Sequence, residues 1–171
     1  MTDAIMKERA LLEGVRGKAD YVVDTTNLST GGLRDKLIKL FANENDDLLE
    51  VTVQSFGFKY GIPPEADLVF DVRFLPNPYY EISLRQKNGT DKGVRDYVFQ
   101  GGTADALMSH LTSLMDFLLP RYVAEGKTSV NVAIGCTGGK HRSVAIAEAL
   151  AAHVKARGYE AAAAHRDYQK G

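Results

Sequence analysis

The sequence predicts an α/β layered domain with a mostly parallel sheet, and three observations predict it. Short apolar runs alternate with longer segments of helical periodicity, in the order strand, strand, helix, helix, strand, turn, helix, strand. One run, Ser129-Val-Asn-Val-Ala-Ile134, leads into a glycine-rich turn that opens an Ala-rich helix. That strand–turn–helix unit is the form in which open α/β sheets hold anions. No internal repeat or heptad series competes with this reading.

The elements follow in chain order. Residues 1–13 carry helical periodicity through Ile5, Leu11 and Leu12, and Asp20-Tyr-Val-Val-Asp24 reads as a short buried strand. Ser29-Thr-Gly-Gly-Leu33 can start a helix with Leu33, Leu37, Ile38, Leu40 and Phe41 on one face. Asn43-Glu-Asn-Asp-Asp47 is a polar break and the best boundary, separating residues 1–47, too few for a domain alone, from 48–171. Residues 48–58 alternate as a strand with Leu49, Val51, Val53 and Ser55 on one side, and residues 66–72 form a nearly continuous apolar strand suited to cover on both faces. Two prolines make Leu75-Pro-Asn-Pro-Tyr-Tyr80 an ordered loop. Residues 85–92 read as an exposed loop, and 91–100 as a short helix. A longer helix follows over 103–125, with Thr103 as N-cap and Leu107, Leu111, Leu114, Met115 and Leu118 facing in. Beyond the turn, residues 143–157 are helical with Gly158 as the cap, and 159–165 form a last strand.

The chain's 171 residues, 44% apolar and 25% charged, exclude wholesale disorder and suffice for a core. Net charge is −1, so no global basic field points to nucleic acid or an anionic membrane. The charge is uneven, net −5 over residues 1–120 and +4 over 121–171. One cysteine, Cys136, forms no internal disulfide, which makes a reducing cytoplasmic compartment the expectation. Neither a signal-peptide pattern nor a membrane-spanning apolar run is visible.

The informative segment is Gly135-Cys-Thr-Gly-Gly-Lys-His-Arg-Ser143. Gly138 and Gly139 allow close backbone approach, while Lys140, His141 and Arg142 bring cationic donors to a helix N-terminus. The P-loop spacing is absent, which argues against ATP held in the Walker manner. Cys136, Arg142 and Ser143 also fit the Cys-x5-Arg pattern of cysteine phosphatases, with Asp71, Asp105 or Asp116 as an unranked general acid. Three readings stay open on these residues: an anion site, a covalent phosphatase using Cys136 and Arg142, and a purely structural turn.

Four motifs occur together in order: Gln54-Ser-Phe-Gly-Phe-Lys-Tyr-Gly61, Asp67-Leu-Val-Phe-Asp-Val-Arg73, Leu75-Pro-Asn-Pro78 and the 135–143 segment. They resemble the RapZ/YvcJ family of nucleotide-binding proteins, which includes an RNase adapter in enterobacteria. The resemblance covers about residues 48–168, and Asp20-Tyr-Val-Val-Asp-Thr-Thr-Asn-Leu28 resembles the end of that family's N-terminal kinase-like domain, here without its Walker A loop. It implies that ATP or GTP with Mg belongs to the absent part and that this chain carries no cofactor or metal of its own. It further implies a glucosamine-6-phosphate-like ligand, small-RNA binding, a protein partner and homo-oligomers. By motif match the phosphosugar would meet Cys136, Thr137, Gly138, Gly139, Lys140, His141, Arg142 and Ser143, with Asp71, Arg73 and Asn77 on the facing side. An ion pair between Asp71 and Arg73 is the alternative for those two, and Lys59 either adds charge to the site or is a solvated loop lysine. Two departures stand out: Tyr79 replaces the histidine of enterobacterial adapters, and the tail carries only Arg166 and Lys170 as fixed cations, few for RNA phosphates.

Overall fold

The computed structural model describes residues 2–41 and 49–170. The chain divides into two compact units at residues 46 and 47. The predicted polar break at 43–47 lies outside the described residues.

The first unit holds helix α1 (Thr2–Arg16) and helix α2 (Thr30–Phe41). Ser29 Oγ accepts the Gly32 N–H at 3.1 Å, the side-chain cap its position promised. Between the helices, residues 20–25 form no strand and join no ladder, and Tyr21 and Val22 stand more than half exposed. The predicted buried strand is therefore absent: a strand is held by its neighbours, and the described residues of this unit contain no other. The apolar side chains Leu11, Leu12 and Val15 of α1 are exposed as well. The side chain of Ile38 is not among those described.

The second unit is a four-stranded, all-parallel sheet of β1 (Glu50–Gly57), β2 (Leu68–Asp71), β3 (Ser129–Cys136) and β4 (Glu160–His165), in the order β2-β3-β1-β4. The alternation read in β1 holds, with Val51, Val53 and Ser55 buried on one face. That face packs under helix α5 (Arg142–Ala156), with α4 (Thr103–Glu125) and α3 (Lys92–Phe99) against α5. Val51, Val53, Val132, Ile134, Met115, Leu119, Ile146 and Leu150 are the centre of the core. The crossovers β2→β3 and β3→β4 step the same way along the sheet through this helical layer, whereas β1→β2 steps back. Right-handed connection puts that segment, residues 58–67, which holds only the 3-10 turn Phe58–Tyr60, on the other face. Consistent with this, the Phe56 and Phe58 rings lie over Gly135 where a side chain would project.

Three predicted details change. The 66–72 run is not covered on both faces, because β2 is an edge strand with Val69 exposed. Gly102, in the left-handed conformation, rather than Thr103, caps α4, whose buried face runs through Ala104, Leu111, Met115 and Leu119 and leaves Leu114 outside. The loop at 85–91 is not simply exposed: the Gly89 N–H donates to the Lys140 carbonyl at 2.9 Å, docking the loop on the start of α5. Asp91 caps α3 by accepting the Gly93 N–H.

Candidate anion-binding site

The site lies at the carboxyl edge of β1, β2 and β3, the edge at which parallel sheets bind ligands. β3 ends at Cys136, and the turn 137–141 delivers the chain into α5. The turn is held from behind. Gly139 has φ +77°, and a side chain there would lie 2.7 Å from the Gly57 nitrogen and 2.9 Å from Asp167 Cβ. Backbone packs on backbone at this point, which no other residue permits. No side chain caps α5, and its positive end lies beneath the turn.

A cleft of about 630 Å³ opens over this turn. The turn contributes Cys136, Thr137, Gly138, Lys140, His141 and Arg142, and the 3-10 turn after β1 contributes Lys59. The proline loop contributes Asn77, Tyr79 and Tyr80, and the segment before α3 contributes Arg85 and Gln86. Four of these residues are cationic and none is acidic. The Lys59 ammonium lies about 4.0 Å from where a Gly138 side chain would begin.

Arg142 is 6% exposed, and its guanidinium donates to the carbonyls of Arg73 and of Leu75 (3.3 Å) and to the Thr137 hydroxyl (3.3 Å). It lines the cleft while tying the proline loop over the turn. His141 is 7% exposed, and its Nε2 has no hydrogen-bond partner among the described residues. Burial holds the His141 pKa below the usual imidazole range, against the opposing pull of the Arg85 carbonyl, so the ring is neutral at pH 7. An orphaned buried polar atom costs about 1–3 kcal/mol until something bonds to it.

Of the three residues expected on the facing side, Asn77 lines the cleft and Asp71 and Arg73 do not. Arg73 folds back to hold the Asp71 carboxylate through both Nε and Nη2 and lays its guanidinium over the Phe58 ring at 4.4 Å. These bonds hold the Asp71 carboxyl below its ordinary pKa. Gly139 and Ser143 shape the turn without lining the cleft. Tyr80, Arg85 and Gln86 were not anticipated, since the loop that carries two of them read as solvent-exposed and no local pattern marks them.

For the phosphatase reading, the cleft brings Cys136 and Arg142 together but is lined by no acidic residue. Cys136 is 3% exposed, accepts the Gly139 N–H at 3.2 Å and sits 3.1 Å from Ser143 Oγ. Arg142 is bound to carbonyls. None of the three acid candidates lines the cleft: Asp71 is held by Arg73, Asp116 by His153 and Arg157, and Asp105 is exposed in the first turn of α4. Among the described residues no group of His, Cys, Asp and Glu could hold a metal ion, and no helix is long and apolar enough to cross a membrane.

Comparison with known proteins matches residues 49–169 to the family described as RapZ C-terminal domain and residues 1–45 to RapZ-like N-terminal domain. Similar relatives include a "Nucleotide-binding protein" of Caldicellulosiruptor saccharolyticus, 48% identical over 98% of this chain and 58% of its own length. Proteins of the same name from Desulforudis audaxviator and Shouchella clausii are 47% and 49% identical, again over 98% of this chain, and over 57% and 56% of their own lengths. The chain thus spans less than two thirds of the curated relatives it matches.

Proposed function

The chain belongs to the RapZ-like family of nucleotide-binding proteins, and from that premise we propose that its second unit is a non-catalytic sensor that binds a phosphorylated small molecule on the 137–142 turn. The observation that carries this is a cleft with four cationic residues and no acidic one, at the carboxyl edge of the parallel sheet. The phosphoryl group sits on the turn with Lys59 and Lys140 beside it, and a sugar meets the polar groups of Asn77 and Gln86. The family resemblance favours an amino-sugar phosphate such as glucosamine-6-phosphate. Nucleotide handling in the full-length relatives belongs, in this reading, to the part of them that this chain does not span.

The test is thermal unfolding with inorganic phosphate, glucosamine-6-phosphate, glucosamine, ATP and GTP, on the wild type and on Lys59→Ala. A ligand at 100 times its Kd stabilises by about 2.7 kcal/mol. We expect glucosamine-6-phosphate to raise the midpoint, phosphate to raise it less, and Lys59→Ala to reduce both shifts. A response to glucosamine equal to that of its phosphate would reject the turn as the recognition element. A response to ATP or GTP alone would reject the amino sugar.

A further inference from the structure

Beyond β4 the chain continues along β1, with the Arg166 N–H donating to the Ser55 carbonyl at 3.0 Å. Asp167 then enters the protein with 0% exposure. Its carboxylate accepts from the Gly57 N–H (2.9 Å), from Arg166 Nε and Nη2 (3.0 and 2.7 Å) and from Lys170 Nζ (2.8 Å). A buried carboxylate with donors on both oxygens fixes whatever carries it. Its Cβ is the wall behind Gly139, the turn residue at φ +77°.

The same tail is bound to the element that carries Lys59. The Tyr60 hydroxyl donates to the Lys170 carbonyl at 2.8 Å, and Arg166 Nη2 donates to the Gly61 carbonyl at 2.7 Å. The ammonium groups of Lys59 and Lys170 share the Tyr60 ring, at 4.6 and 5.1 Å from its centroid. Two walls of the cleft, the 137–141 turn and the 58–60 turn, are therefore braced by one five-residue tail.

We propose that Asp167 is a positioning residue for the anion site, latching residues 166–170 onto these two turns so that tail docking and ligand binding strengthen each other. This rests on the phosphoryl-ligand reading above. An undocked tail removes the partner of the Gly57 N–H and the wall behind Gly139, and the turn's donors lose their fixed aim. Coupling is reciprocal: whatever tail docking adds to affinity, the ligand returns as tail docking.

The experiment combines calorimetric titration with inorganic phosphate and glucosamine-6-phosphate with hydrogen exchange at the Arg166 and Lys170 amides. In the wild type, saturating ligand slows exchange at both amides. Asp167→Asn keeps the side chain's volume, removes its charge and weakens both ligands about tenfold, within the usual range of coupling. Asp116→Asn, which breaks a more exposed pairing with His153 and Arg157 on the helical layer, leaves affinity unchanged and separates the latch from loss of an ion pair elsewhere in the fold. Should Asp167→Asn fail to fold, Tyr60→Phe, which deletes only the bond to Lys170, makes the same comparison at smaller amplitude. Wild-type binding with no change at the two amides, or equal affinity in the folded variant, overturns the latch alone. Failure of the wild type to bind either probe overturns the phosphoryl site, and the latch with it.

Discussion

Two segments of this chain look alike in sequence and behave differently. Ser29-Thr-Gly-Gly32 opens α2, and Cys136-Thr-Gly-Gly139 precedes α5. At α2 the glycines lie inside the helix, Ser29 caps it, and a side chain added at Gly31 would meet nothing closer than Ser29 Oγ at 4.0 Å. At α5 the glycines lie before the helix, no side chain caps it, and Gly139 is wedged against Gly57 and Asp167. A threonine and two glycines at a helix start are thus no anion site in themselves. The difference is what stands behind the glycines and whether a side chain caps the helix.

The largest effect that would break this comparison is Gly139→Ala. It forces an L side chain to φ +77° and into backbone 2.7 Å away, and strain plus overpacking cost about 3 kcal/mol. Urea unfolding should show that loss with an unchanged m-value, together with loss of phosphate binding. An equally stable protein would mean that the turn is not braced as described.

The contrast also explains what the sequence made legible. The order of strands and helices, the buried alternation of Val51, Val53 and Ser55, and the strand–turn–helix unit could be read because periodicity is local. The cleft residues Cys136–Gly138 and Lys140–Arg142 could be read for the same reason, being contiguous. Asp20–Asp24 was misread because a strand depends on neighbours that sequence does not place. The exposed face of β2 was misread because strand order is a tertiary fact. Arg85 and Gln86 had no signal, since their loop reaches the cleft only once Gly89 docks on Lys140, and Tyr80 comes with the proline loop that Arg142 ties down. Asp71 and Arg73 carried both readings in the sequence, and two residues of spacing at a strand end let the pair close on itself.

A middle-sized effect concerns the aspartates that accompany the two helix starts. Burial alone would raise the Asp167 pKa, but Arg166, the Gly57 N–H and Lys170 outweigh it and hold the group at about 2, below the ordinary 3.8. The folded state therefore prefers the charged form. The stabilisation, about 2 kcal/mol from a difference of that size, is present above pH 4 and is lost as pH falls from about 4 toward 2. The urea midpoint of wild type minus that of Asp167→Asn should shrink over that window, which cancels the contributions of other carboxylates. Asp24, bonded to the Thr26 N–H and hydroxyl at the surface, is also held below its ordinary pKa. Asp24→Asn should shift the midpoint far less. Equal shifts would remove the distinction between the two segments.

The smallest effects lie at α2 itself. Ser29→Ala removes the acceptor for the Gly32 N–H and should cost the helix about 1 kcal/mol. Gly31→Ala acts in the opposite sense, because a helical glycine with open space around it loses more backbone freedom than alanine, by roughly 0.5–1 kcal/mol. Hydrogen exchange at α2 amides should speed up in the first variant and slow in the second, with phosphate affinity untouched in both. The pair of signs is the sharp part. Alanine is favoured at Gly31 and ruinous at Gly139 within one chain, so the two variants measure directly that the α5 turn is shaped by its packing rather than by its composition. If Gly31→Ala also weakened phosphate binding, the first glycine pair would have to be part of the site after all.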